Sequence, residues 1–191
     1  VVAAQHRALP SEPLPDVVIQ ATTPGGSRNT IASVAIQHTT GATTVLLNQG
    51  IVATFSDDGY EIQNVYDLGS DGTWRWAFCF PDTESTGCFN ANGTIVEIDS
   101  NGEKNEVGTI EGGILFVSVS PDQEHIAMIT GNDTLLLMTC RWDVVHEIPL
   151  PAINKSSPAE LSWKFDGSRL AVLTRDADDN LYRLRIFDKD L

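Results

Sequence analysis

The chain has 191 residues, of which 41% are hydrophobic. That is enough for a packed core, and no apolar run approaches the ~20 residues a membrane helix needs. Its 26 acidic and 12 basic residues give a formal charge of −14, a field that repels a phosphate backbone and argues against direct nucleic-acid binding.

Residues 1–29 form a Pro/Ala-rich extended lead-in, with an outer strand as an option for it. Val1 to Pro15 lacks the basic-then-apolar pattern of a signal peptide. The missing initiator Met points to a fragment or a trimmed chain. From Thr30 onward, short β-rich runs alternate with turn residues. Strands are expected over Ile31–Gln37, Thr43–Leu47, Ile51–Phe55 and Ile62–Leu68. A second group covers Trp74–Phe80, Ser85–Phe89, Thr94–Asp99 and Glu106–Ile110. A third covers Ile114–Ser120, His125–Thr130, Thr134–Thr139 and Val144–Leu150. The last runs are Leu161–Phe165, Arg169–Thr174 and Leu181–Asp188. Their connectors, such as Asn90-Ala-Asn-Gly93, Ser100-Asn-Gly102 and Asp166-Gly-Ser168, hold residues that tolerate positive φ. No stretch carries a helical apolar stripe.

The runs group in fours, and one turn recurs. It reads Phe78-Cys-Phe-Pro-Asp-Thr83, then Val119-Ser-Pro-Asp-Gln123, then Trp163-Lys-Phe-Asp-Gly167. Asp82, Asp122 and Asp166 are spaced by 40 and 44 residues, the period of four-stranded propeller blades. His38 to Ala42 holds the same place in a degenerate first unit. The fold class is therefore all-β, a WD-repeat-like β-propeller with about four blades of a seven-bladed ring. The blade-like units run over residues 30–70, 73–111, 112–152 and 158–191, the last incomplete. Ile126, Ala127 and Met128, and likewise Leu170, Ala171 and Val172, read as inner strands buried on both faces. No unit closes on Trp-Asp; Ile186-Phe-Asp188 puts an aromatic in that place.

Two segments carry a more specific likeness. Glu111 to Thr139, with Ser120-Pro-Asp-Gln-Glu124 and Thr134-Leu-Leu-Leu-Met-Thr139, resembles the N-terminal propeller of the Elongator subunit 1 family. So does Leu161-Ser-Trp-Lys-Phe-Asp-Gly-Ser-Arg-Leu-Ala-Val172 followed by Leu184-Arg-Ile-Phe-Asp188, where Lys164-Phe165 depart conservatively from the family pattern. The resemblance implies a non-catalytic scaffold supporting tRNA wobble-uridine modification. It implies contacts to a second WD-repeat subunit and to the catalytic radical-SAM and acetyl-CoA-dependent subunit, and homodimerisation through regions outside this chain. It implies no cofactor, no membrane, no strong tRNA contact by this acidic segment, and residence in the cytoplasm, with the nucleus as a second compartment. Two other readings compete: an unrelated intracellular propeller adaptor, and a secreted or enzyme-associated propeller.

Chemistry-bearing motifs are sparse. There is no G-x-S-x-G, H-E-x-x-H or phosphate loop, so no catalytic, cofactor or metal residue is assigned. Gly112-Gly113 reads as a turn between blades. Asp176, Asp178 and Asn180 have calcium-loop spacing, but Leu181 and Phe187 replace the required Gly and Glu, which favours a solvated hairpin. His38, His125 and His146 lie on different units and read as structural. Cys79, Cys88 and Cys140 lack C-x-x-C spacing and are expected as three buried thiols of a reducing compartment. The sequons at Asn92, Asn132 and Asn154 fall in turns, where Asn is expected anyway. Trp76 and Trp163 are expected in packing between blades, and Trp142 is the one candidate for an exposed protein contact.

Overall fold

The computed structural model describes residues 31–36, 43–56, 61–69, 73–80, 85–157 and 159–188. The lead-in, His38 to Ala42 and Asp82 lie outside these. Fifteen strands form four antiparallel sheets, and there is no helix among the described residues. The first sheet holds β1 (Ile31–Ile36), β2 (Thr43–Leu47), β3 (Ile51–Phe55) and β4 (Ile62–Asp67). The second holds β5 (Trp74–Phe80), β6 (Ser85–Asn90), β7 (Thr94–Ile98) and β8 (Lys104–Thr109). The third holds β9 (Ile114–Val119), β10 (His125–Thr130), β11 (Thr134–Thr139) and β12 (Val144–Pro149). The fourth holds β13 (Glu160–Trp163), β14 (Arg169–Arg175) and β15 (Tyr182–Asp188). Every sheet runs in chain order, so each is a meander.

First strands approach one another between sheets, β1 against β5 and β9 against β13. Fourth strands are largely exposed. This is the radial arrangement of propeller blades, with first strands at the axis and fourth strands at the rim.

The core lies between the sheets. Leu46 and Val52 of the first sheet meet Trp74, Ala77 and Cys88 of the second. Phe80, Phe89 and Ile95 of the second meet Ile114, Ile126, Met128 and Leu136 of the third. Ala127, Ile129 and Leu137 of the third meet Leu161, Leu170 and Val172 of the fourth. Each large side chain buried this way contributes roughly 1.5–3 kcal/mol. In the third sheet, flanked on both sides, the middle strands β10 and β11 are accordingly apolar on both faces. Ile126 to Ile129 are all fully buried, as that logic requires.

β14 differs. Leu170 and Val172 are buried against the third sheet, but Ala171 and Leu173 on the opposite face are half-buried. Leu184 and Ile186 share that outer face and are 65% and 64% exposed. The expectation of burial on both faces thus holds for Ile126–Met128 and fails for Ala171, because no described sheet covers it.

Phe165 is also corrected. β13 ends at Trp163, since Lys164 N donates to Arg169 O and Gly167 N to Lys164 O, which closes a turn. Phe165 sits on that turn, 84% exposed, with Lys164 Nζ 5.7 Å from its ring centroid.

Candidate functional site

The recurrent turn is built as its residues demand. The Asp166 carboxylate accepts from Ser168 N at 3.0 Å, Ser168 Oγ at 2.6 Å and Lys164 Nζ at 2.6 Å. The Lys164 contact and those from Ser168 hold its carboxyl well below the usual carboxylate range. Asp122 repeats the pattern, accepting from Ser120 Oγ and from Glu124 N at 3.1 Å. A short acid at this position bonds the backbone two residues on, which fixes the reversal.

Trp142 is not a free surface ring. It is half-buried, edge-on to Phe80 at 5.6 Å and tilted against Phe89 at 5.7 Å, and its indole N–H donates to Glu97 Oε2 at 3.2 Å. The turn carrying it belongs to the third sheet and its neighbours to the second, so it pins two sheets together. Its φ of 72° shows that the turn is bent to place it. Sequence reasoning missed this because the connector spacing says nothing about the facing sheet. Trp76 and Trp163 do bridge sheets. Trp76 lies 6.5 Å from Phe116, and the Trp163 indole donates to Ser118 O at 3.4 Å.

Asp176, Asp178 and Asn180 do not form an ion-binding loop. The Asp176 carboxylate is committed to Arg183 Nε at 2.9 Å and Arg185 Nη2 at 3.3 Å. Arg183 above all holds its pKa below the usual range. Asn180 Oδ1 accepts from Asn154 Nδ2 at 2.9 Å. Gly112 and Gly113 form the inter-sheet turn at φ of 81° and 80°; a Cβ on Gly112 would lie 2.3 Å from Asn132 Oδ1. Gly113 N donates to Ile110 O at 3.2 Å.

Of the cysteines, Cys79 and Cys88 are buried and Cys140 is half-buried, so the third thiol is more accessible than expected. All three are free. Burial, and secondarily Cys79, push the Cys88 thiol far up. The three sequons fall in turns. Asn132 Nδ2 donates to Glu111 O at 3.3 Å, so its amide has a local task.

His125 stands within reach of Asp122 and Glu124, their ligand-type atoms lying within 4.8 Å of one another. Both carboxylates are exposed, and Asp122 is engaged by Ser120 and Glu124 N.

Two clefts open at opposite ends of the first strands. At the C-terminal ends, Ala35, Phe78, Cys79, Val119, Ser120 and Gln123 line about 250 Å³. Gln123 has φ of 59° and a buried Oε1 without a hydrogen-bond partner among the described residues. At the N-terminal ends, Arg75, Leu115 and Phe116 line about 290 Å³ together with Ile153, Lys155, Ser156, Ser157 and Ala159 of the connector to the fourth sheet. Among the described residues, neither cleft gathers a nucleophile, a base and an oxyanion donor, the set that covalent catalysis requires.

The family model described as ELP1 first N-terminal beta-propeller matches residues 27–157. The matched range covers the first three sheets and stops short of β13. No match is found among curated proteins.

Proposed function

Since the chain belongs to the family of ELP1 first N-terminal β-propellers, we propose that it acts as a non-catalytic scaffold unit of the Elongator complex, supporting 5-position modification of the tRNA wobble uridine through protein contacts. The family match carries this reading. It favours this reading over the unrelated adaptor and the secreted propeller.

The arrangement of side chains supports it. Burial is spent on sheet-to-sheet packing, and the turns at Asp122 and Asp166 are fixed by their own hydrogen bonds. A scaffold needs that rigidity, because contact surfaces held in place lose little freedom on assembly. The partners proposed are the second WD-repeat subunit and the catalytic subunit. The compartment proposed is the cytoplasm, with the nucleus second. The formal charge of −14 supports leaving tRNA contact to other parts of the assembly.

Depleting the protein from its cells and digesting total tRNA to nucleosides tests this. Mass spectrometry is expected to show loss of 5-position wobble-uridine modification, restored by re-supply. Unchanged modification after depletion would refute the reading.

A further inference from the structure

Cations gather around one cleft of a chain that is otherwise strongly acidic. Arg75 stands on β5, and Leu115 and Phe116 on β9. The connector from the third sheet to the fourth brings Lys155, Ser156 and Ser157 to the same space. No carboxylate lines this cleft among the described residues. Arg75 is exposed, lies 5.9 Å from the Trp76 ring centroid, and forms no ion pair among the described residues.

Lys155 Nζ donates to Gly131 O and lies 4.0 Å from Asp133. That pair is half-exposed and weak, and an ammonium has further protons to offer. Arg175 Nη1 donates to Ser157 Oγ at 3.2 Å, which leaves the Ser157 hydroxyl proton available to another acceptor. The connector is held in shape. Ser157 N donates to Asn154 O at 3.0 Å, and Asn154 Oδ1 accepts from Ser156 N at 3.2 Å and Ser156 Oγ at 2.7 Å.

A guanidinium, an ammonium and a hydroxyl thus border one space, over a floor of Leu115 and Phe116. That chemistry suits an oxyanion attached to an apolar neighbour. We propose that this cleft binds an acidic peptide segment of a partner, its carboxylate or phosphate held by Arg75 and Lys155 and an adjoining apolar side chain seated on Leu115 and Phe116. A short acidic segment needs complementarity at this patch alone. A nucleic-acid strand would also meet the surrounding negative field. The proposal deepens the scaffold reading by giving the chemistry of one contact, and relies on it for the existence of a partner.

Fluorescence anisotropy on the intact protein tests it, with labelled Gly-Leu-Xaa-Phe-Gly peptides in which Xaa is phosphoserine, aspartate or serine, and with a labelled short oligothymidylate. The phosphoserine or aspartate peptide is expected to bind at least about tenfold more tightly than the serine one. Whichever of the two is tighter identifies the oxyanion. Arg75→Gln and Lys155→Gln are each expected to weaken that binding about tenfold, and added salt to weaken it further. Arg141→Gln, which removes an exposed cation outside the cleft, is expected to leave it unchanged. Equal binding of the serine peptide, no binding up to millimolar concentrations, insensitivity to both cleft variants, or tighter Arg75-dependent binding of the oligothymidylate would each overturn the proposal. Those outcomes leave the modification assay untouched, so the two readings fail separately.

Discussion

At the residue scale, conformation and burial decide what each position tolerates. Gly93 has φ of 105°, and a Cβ there would lie 2.2 Å from Ile110 O, which is backbone and cannot swing away. Gly93→Ala is therefore expected to destabilise the propeller by about 1–3 kcal/mol, read as a lower melting temperature. The thiols are predicted to separate by accessibility. Maleimide at neutral pH is expected to label Cys140 in the native protein, and Cys79 and Cys88 after unfolding. Native labelling of Cys88 ahead of Cys140 would contradict the packing. Asp176 carries a pH dependence. Its pKa in the folded state lies below the unfolded one, so its stabilisation is present above about pH 4 and is lost as pH falls through the folded value. Asp176→Asn is expected to flatten the acid limb of the melting-temperature profile without moving its alkaline limb. The roles of Asp122 and Asp166 were legible in the sequence, because Asx turns are local. That of Trp142 was not, since Phe80, Phe89 and Glu97 are brought to it by another sheet.

At the scale of elements, hydrophobic patterning located the strands well, and for a physical reason. A four-stranded blade packed on both faces makes its middle strands apolar and its outer strand alternating, and β10 to β12 follow that rule. The ends were less legible. β8 begins at Lys104 rather than Glu106, because ladder pairing of Ile98 with Lys104 costs a polar side chain nothing at the rim. β13 stops at Trp163 because turn hydrogen bonds take the backbone of Lys164. Packing gives a graded prediction. Met128→Ala opens a cavity between two sheets and is expected to cost about 2–5 kcal/mol. In the 191-residue chain alone, Leu184→Ala is expected to change the melting temperature little, since its side chain is already in water. A large loss at Leu184 would mean that something covers this face.

At the scale of the molecule, the sheets stack in chain order, and among the described residues the fourth sheet keeps an open apolar outer face. Leu184 and Ile186 mark it; on the first sheet Val34 and Val65 are exposed at the margins, while Val45 and Ala53 between them are buried. Surface of this kind is ordinarily covered by a neighbouring blade. The 191-residue chain alone is accordingly expected to melt broadly and to bind a hydrophobic dye, and a sharp cooperative transition would contradict this. The repeat period and the turn motif made the propeller legible from sequence. The cationic cleft was not, because Arg75 and Lys155 are far apart in the chain and meet through the stacking of three sheets. The central claim is that this propeller is a scaffold unit of Elongator, and co-purification tests it most directly. Intact protein isolated from its own cells under mild conditions is expected to bring down the second WD-repeat subunit and the catalytic subunit, identified by mass spectrometry. Recovering neither would contradict it.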